Sequence, residues 1–543
     1  MTHKHITLSL RFLLALSLLF AAVQPFAKPV SAAADTIHHW KHYTNGVNYL
    51  KQGKVKLAIR EFELAVAQSE QAGYLRKLAE AYELDHQYQK AADTYYREAK
   101  IHKKIGEKSG DLNTYYAVLA MADALNTNIE LYLEKDGKAA APPSVKLAKF
   151  EPASGMYIGA YVDKDSGVEG KGDGKFQAFN KLTGKQHAVY FNYHKYGSPF
   201  PYHWAEQVKK AGGAIQLALQ PDTGLSAVKD DKYLRDFAKE AKAAGVPIFL
   251  RFASEMNGSW VKWHGNPSLY IEKFRLISKV MKEEAPNVAM VWSPAANPKQ
   301  KIAAYYPGDE WVDWVGLSVY SVKFFNGNVN TPADQVNPLD SLDYVYQTYA
   351  SRKPIMISEY GATHYSKAGN TSTINFAITK MNMLYHGAKL KYPRLKSINW
   401  FSLNTLTDSH SAERSLNNFS LTENETVLKA YSNLIKDSYY LSEVVQTGQS
   451  DGNSGYNKNV AKFADKGTIS SNVTGIAWVK TYDPYISKVV VKVDGVVVLS
   501  RQQYPYAFTI DPSKLKAGSH KLEIVVFDSK GREASRKPYT FKT

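Results

Sequence analysis

Between about residue 155 and residue 401 short apolar runs alternate with amphipathic stretches, and few folds can accommodate that order. The runs fall at 157–162, 188–193, 214–219, 247–252, 288–292, 314–320, 354–358 and 397–401. Stretches such as 231–244 and 267–284 lie between them, with apolar residues at the spacing of one helix face. Continuous apolar runs suit parallel strands that are covered on both sides. Eight such strands, each followed by a helix, predict a closed (β/α)₈ barrel.

Two of the runs deliver a glutamate to a strand's C-terminal end. The fourth leads into Arg251-Phe-Ala-Ser-Glu255-Met-Asn257-Gly-Ser-Trp260-Val-Lys-Trp263, and the seventh into Ser358-Glu359-Tyr-Gly361, 104 residues later. At roughly 30 residues per strand-helix unit, that gap holds about three units. Paired carboxylates at a barrel mouth, ringed by aromatic and amide side chains, are the equipment for cleaving a glycosidic bond. Such chemistry needs one carboxylate ionised and the other protonated, and apolar burial beside a negative partner raises the proton affinity of the second. Glu255 is the candidate acid/base and Glu359 the candidate nucleophile. Trp260, Trp263, Trp292 and Trp400 are candidates for stacking on pyranose faces, against the alternative that a strand-end tryptophan is core. Asn257 offers an amide for substrate binding, and His194 follows the second run. Arg251 points either into the barrel or at the site. Tyr320 either donates a hydrogen bond to Glu359 or is a satisfied core tyrosine.

The flanking regions read differently. Of the 543 residues, the first 34 carry basic residues, an apolar stretch from Phe12 to Val23 and small residues up to Ala34. They predict a secretory signal peptide, too short in its apolar part to span a bilayer, and hence a secreted or wall-associated protein with no membrane span after cleavage. In 35–138, Tyr49, Ala58 and Phe62 recur as Tyr82, Ala91 and Tyr95, each 33 residues on. This helical region resembles tetratricopeptide repeats, which implies a protein partner; the alternative is a helical bundle that only packs. Ala139 to Pro143 and 441–467 read as linkers. From 468 to 543 short strands at hairpin spacing, with Asp494-Gly495 as a turn, predict a sandwich of about seven strands similar to bacterial immunoglobulin-like modules.

Composition narrows the chemistry. The chain has no cysteine, which excludes disulfides, thiolate zinc sites and cysteine nucleophiles. Its net charge is +17, and residues 468–543 carry 12 Lys and Arg against 6 Asp and Glu. That balance favours an anionic wall polymer as a partner of the last module, over nucleic acid for an exported chain. Asp163-Lys-Asp165-Ser-Gly167 lacks the spacing of a calcium loop and reads as a solvated loop. No metal site or cofactor is expected.

Residues 150–440 resemble family 26 of the glycoside hydrolases, on three ordered stretches: Glu255-Met-Asn-Gly-Ser-Trp260 with Trp263, Tyr306-Pro-Gly through Gly316-Leu-Ser-Val-Tyr320, and Ile357-Ser-Glu359-Tyr-Gly361. The resemblance implies a secreted retaining endo-β-glycosidase acting on a β-linked polysaccharide, mannan first, with Glu255 and Glu359 in the roles above. The family usually has His where this chain has Ser254 and Asp where it has Ser318. Both departures fit the alternative of a non-catalytic polysaccharide-binding or wall-assembly protein. A retaining mechanism expects the carboxyl groups about 5 to 5.5 Å apart.

Overall fold

The computed structural model describes residues 37–137, 146–408, 414–449 and 455–543. The expected signal peptide, the Ala139 to Pro143 linker and part of the 441–467 linker lie outside these residues. The described residues divide into two compact units, one within 37–87 and the other from 88 onward.

In the first unit three helices, His39–Lys51, Val55–Gln68 and Ala72–Leu84, follow one another. Ala58, Phe62 and Ala65 are fully buried. A Cβ at Gly46 would run into the Phe62 ring, so a small residue on one helix lets the other approach closely. The small and aromatic positions of the repeat are thus packing positions.

The second unit opens with two helices, Tyr88–Ser109 and Asn113–Leu125, and then departs from the expected helical run. Asn128–Asp136 is a β-strand. The sequence signal is plain in retrospect: Ile129, Leu131 and Leu133 alternate with polar residues and enter one core, whereas a helix would scatter them. This strand pairs with Lys458–Lys462 on one side and Val473–Lys480 on the other, all antiparallel. The 35–138 region is therefore not wholly helical, and the supposed 441–467 linker contains the strand Lys458–Lys462.

All eight barrel strands form: Met156–Tyr161, Val189–Lys195, Ala214–Gln220, Ile248–Phe252, Val288–Trp292, Trp314–Ser321, Ile355–Ala362 and Leu395–Phe401. They are parallel in sequence order, and the eighth closes on the first with Ser397 opposite Tyr157 and Phe401 opposite Tyr161. Alternate positions sort into two environments. Tyr157, Val189, Phe249, Val291, Trp314 and Met356 form one apolar layer inside the barrel. Ile215, Leu217, Ile248, Leu250 and Ile357 join the much larger core shared with the helices. Above the inner apolar layer the interior turns polar: Gln216 Nε2 donates to the Ser358 carbonyl at 3.1 Å, and Asn399 Nδ2 donates to the Ile357 carbonyl at 3.1 Å. Gly159 exists for that layer, because a Cβ there would collide with the Asn399 side chain.

Among the described residues, seven strands form from Gly467 onward, as expected, and Asn128–Asp136 and Lys458–Lys462 join them in a sandwich of nine. One sheet runs Lys458–Lys462, Asn128–Asp136, Val473–Lys480, Tyr506–Ile510; the other runs Gly467–Thr468, Glu533–Lys542, Ser519–Phe527, Lys488–Val493, Val496–Arg501. The Asp494-Gly495 hairpin forms as expected, with Val493 opposite Val496 and positive φ at both turn residues, 47° and 84°. The sandwich packs directly on the barrel helix Ile374–Lys391: Lys391 Nζ meets Glu130 Oε2 at 2.9 Å, and a Cβ at Gly387 would press on the Trp478 ring.

Candidate active site

The fourth barrel strand ends at Phe252, and the backbone then turns sharply. Ala253 and Glu255 both take positive φ, 47° and 61°. Residues with a Cβ rarely adopt that region, so the surroundings must enforce it. They do so with five bonds. Ala253 N–H donates to Leu219 O at 3.0 Å and Glu255 N–H to Ser293 O at 2.8 Å. Trp263 Nε1 donates to Ser254 O at 2.8 Å. Asn257 donates to Ala295 O at 3.0 Å while its Oδ1 accepts the Ala295 N–H at 2.9 Å, stitching this turn to the loop after the fifth strand. Asn257 and Trp263 are 2% and 4% exposed. They are the scaffold of the turn, not groups presented to a ligand.

Glu255 is held at the mouth, partly exposed, with Oε2 accepting Trp260 Nε1–H at 2.6 Å. The Trp260 ring is half exposed beside it. Burial of its carboxyl and the nearby charge of Glu359 raise the Glu255 pKa, against the opposing effect of hydrogen bonds from Trp260 and Ser318 and the charge of Arg251.

Glu359 reaches the interior through a β-bulge. Pairing with the sixth strand runs Leu317 opposite Ile357 and then Ser318 opposite Glu359, and pairing with the eighth strand jumps from Ile357 to Tyr360. Strict alternation would send Ser358 inward and Glu359 outward; the extra residue turns both inward. Ser358 joins the polar layer, hydrogen-bonded to Ser293 at 3.1 Å. Glu359 Oε1 accepts Arg251 Nη1–H at 2.7 Å, and Oε2 accepts the Tyr320 hydroxyl at 2.6 Å. Burial, and then the charge of Glu359, push the Tyr320 phenol well up, so it stays a donor. Burial alone would lower the Arg251 pKa, but the charge and hydrogen bond of Glu359, together with Tyr193 and Glu255, raise it. Arg251 thus faces the site. Its Nη2 also lies 3.4 Å from Ser318 Oγ, so this serine touches the groups that serve both carboxylates.

Three sequence candidates lie elsewhere, because they fall on the outward parity of their strands. Trp292 is fully buried against Tyr306 and Tyr349, at ring distances of 4.9 and 5.2 Å. Trp400 is fully buried, donates Nε1–H to Phe419 O at 2.9 Å and packs on Tyr360 and Tyr431. Neither has a free face for a sugar. His194 packs on Phe237 of a surrounding helix and contacts Ser198 O at 3.3 Å. The neighbours of these residues take the inward places instead. Tyr193 adjoins Glu359, and Phe401 stacks on Tyr161 at 5.4 Å and meets Tyr320 edge-on at 5.7 Å. Strand parity, counted from the inner apolar layer, would have found both.

The Asp163 to Gly167 loop is not simply solvated. Asp165 is fully buried and accepts Gly167 N–H at 3.0 Å, Ser420 Oγ–H at 3.1 Å and the hydroxyls of Ser402 and Thr422. It ties the loop after the first strand to those after the eighth. Among the described residues no group of three or more His, Asp or Glu is arranged to hold a metal ion, and no described helix is long and apolar enough to cross a membrane.

Residues 225–341 match the family model Glycosyl hydrolase family 26, and residues 464–524 match Bacterial Ig domain. Endoglucanase H of Acetivibrio thermocellus is 25% identical over 274 residues, covering 47% of this chain and 29% of that protein. A mannan endo-1,4-beta-mannosidase of Bacillus subtilis is 33% identical over 98 residues, 16% of this chain and 27% of that protein. The chain thus spans under a third of the length of either relative. An endo-beta-1,4-mannanase double mutant of Cellulomonas fimi aligns in structure with a TM-score of 0.40 and 17% identity, covering 71% of this chain and 94% of that one. Within the barrel, the stretch 225–341 that carries Glu255, Ser318 and Tyr320 is thus similar to glycosyl hydrolase family 26, and residues 464–524 are similar to a bacterial Ig domain.

Proposed function

We propose that this chain is a secreted, retaining endo-β-glycosidase that hydrolyses a β-linked polysaccharide by double displacement. One observation carries the reading: two carboxylates at the ends of the fourth and seventh strands are provided for differently. Glu359 is gripped on both oxygens by a guanidinium and a phenol, as an anion poised to attack requires. Glu255 is biased toward its protonated form by burial and by Glu359, as a group that protonates a leaving oxygen requires. In the first step Glu359 bonds to the anomeric carbon while Glu255 gives its proton to the departing glycosidic oxygen. In the second, Glu255 takes a proton from water, which displaces Glu359 and restores both groups. The half-exposed Trp260 ring is the stacking face nearest the acid.

Mannan is the first substrate to try and β-glucan the second, in keeping with the names of the relatives. The N-terminal helices as a protein-docking array, and the basic sandwich as an attachment to anionic wall polymer, are further parts of this proposal. The test is release of reducing sugar from mannan, mixed-linkage glucan and xylan, with proton NMR of the first-formed anomer. Retention supports double displacement. Binding without release across the panel would replace the enzyme with a polysaccharide receptor.

A further inference from the structure

The loop that follows the sixth strand leaves the barrel directly after Tyr320, the residue that holds Glu359, so it stands on the rim of the mouth. It spans 322–337 and is mostly exposed, with Phe325 and Val329 at 46% and 48%. Inside the loop the backbone closes on itself: Phe325 N–H donates to Thr331 O at 3.0 Å and Ala333 N–H to Lys323 O at 2.9 Å. It also leans on the rim beyond the seventh and eighth strands, since a Cβ at Gly369 would lie 3.5 Å from Val329 and one at Gly327 3.0 Å from Leu416. Its firmest polar anchor is Asp334. That carboxylate accepts Lys323 Nζ–H and the hydroxyl of Tyr485, a residue of the C-terminal sandwich, and the Asp334 backbone carbonyl accepts Lys380 Nζ–H. Lys380 is buried and also donates to Val336 O at 2.6 Å.

The sandwich end of this contact is rigid. Tyr485 N–H donates to Asp483 Oδ1 at 2.9 Å, and Asp483 Oδ2 accepts Ser529 N–H at 2.9 Å. Tyr482 OH donates to Asp528 Oδ2 at 2.9 Å. The sandwich therefore presents Tyr485 from a braced turn to the one carboxylate that fastens the rim loop.

We propose that Tyr485 is a positioning residue for the cleft: through Asp334 it sets the rim loop whose exposed Phe325 offers an extended polysaccharide an outer apolar face, so that the Ig-like module shapes polymer specificity. A flat ring at a rim suits the C–H face of a pyranose, and a loop with few buried side chains keeps its place only through its anchors. This rests on the glycosidase reading for the nature of the ligand, not for the mechanical link.

The experiment compares the full chain with Tyr485→Phe and Asp334→Asn. Hydrogen exchange of peptides covering 322–337 should speed up in both variants, with peptides from the barrel strands and the sandwich unchanged. KM for the polysaccharide should rise about three- to ten-fold, the scale of one ordinary lost hydrogen bond, while Tyr485→Phe leaves kcat for a small aryl β-glycoside at the wild-type value. Unchanged exchange in 322–337 would overturn the link, as would a rise spread over the whole sandwich. Equal losses on polymer and aryl glycoside would overturn the specificity role. A wild-type chain that cleaves no glycan would fail the glycosidase reading separately; the exchange data, and retardation of each variant in polysaccharide-loaded gels, then decide the proposal.

Discussion

Replacing Arg251 with Met isolates the electrostatics of the site without relying on turnover. The Arg251 side chain is fully buried, that of Glu359 is 7% exposed, and they meet at 2.7 Å. Removing the cation leaves Glu359 buried with only the neutral hydroxyls of Tyr320 and Tyr193 as partners, and breaking a buried pair in this way costs about 3–5 kcal/mol. Against a typical domain stability of about 5–15 kcal/mol that is a large fraction. Removing both charges is a different matter, because the desolvation cost of the pair disappears with it. The double variant Arg251→Met/Glu359→Gln should therefore recover most of the loss and lie within about 1–2 kcal/mol of wild type. Urea unfolding monitored by tryptophan fluorescence gives all four corners of the cycle. A loss below about 1 kcal/mol for Arg251→Met, or a double variant as unstable as the single one, refutes the claim that Arg251 chiefly neutralises Glu359.

The Glu255 carboxyl has a folded pKa above its unfolded one, so its contribution to stability is complete below about pH 4 and is lost as pH rises through the folded pKa. Glu255→Gln should thus be more stable than wild type at neutral pH and lose that advantage in acid, as thermal melts at pH 3.5 and 7 will read. Glu255→Ala should cost about 10² to 10⁴-fold in kcat on polysaccharide and much less on an aryl glycoside with a good leaving group; equal losses on both would remove its role as acid. Residues 37–87 form a unit of their own, whereas Asn128–Asp136 is an inner strand of a sandwich sheet and Glu130 pairs with Lys391 of the barrel. A chain starting at 88 should stay folded and active, and one starting at 141 should lose the cooperative unfolding transition of the sandwich in the same melts.

The order of eight apolar runs was enough to identify the barrel, since parallel strands covered on both sides leave a local apolar signature that needs no knowledge of partners. Glu255 and Glu359 were legible for a similar reason: each ends its run, and strand ends are where a barrel keeps its chemistry. The 33-residue recurrence of Ala58 and Phe62 likewise showed which helix positions pack.

Orientation was not legible in the same way. Trp292, Trp400 and His194 stand at suggestive positions, yet one step of strand parity sends each toward the helices, and Tyr193 and Phe401 take the inward places. Glu359 escapes that rule only through a bulge, which depends on how two neighbouring strands pair with the seventh. Asn128–Asp136 became a sandwich strand because its partners Lys458–Lys462 and Val473–Lys480 lie more than 300 residues away. The sequence by itself determined which segments of the barrel are strands and helices and where chemistry could concentrate, because those follow from local periodicity and strand ends. Tertiary structure alone decided which face each side chain shows, which charges meet and which module the strand at 128 completes, because each of these is an energy of contact between residues that the chain keeps far apart.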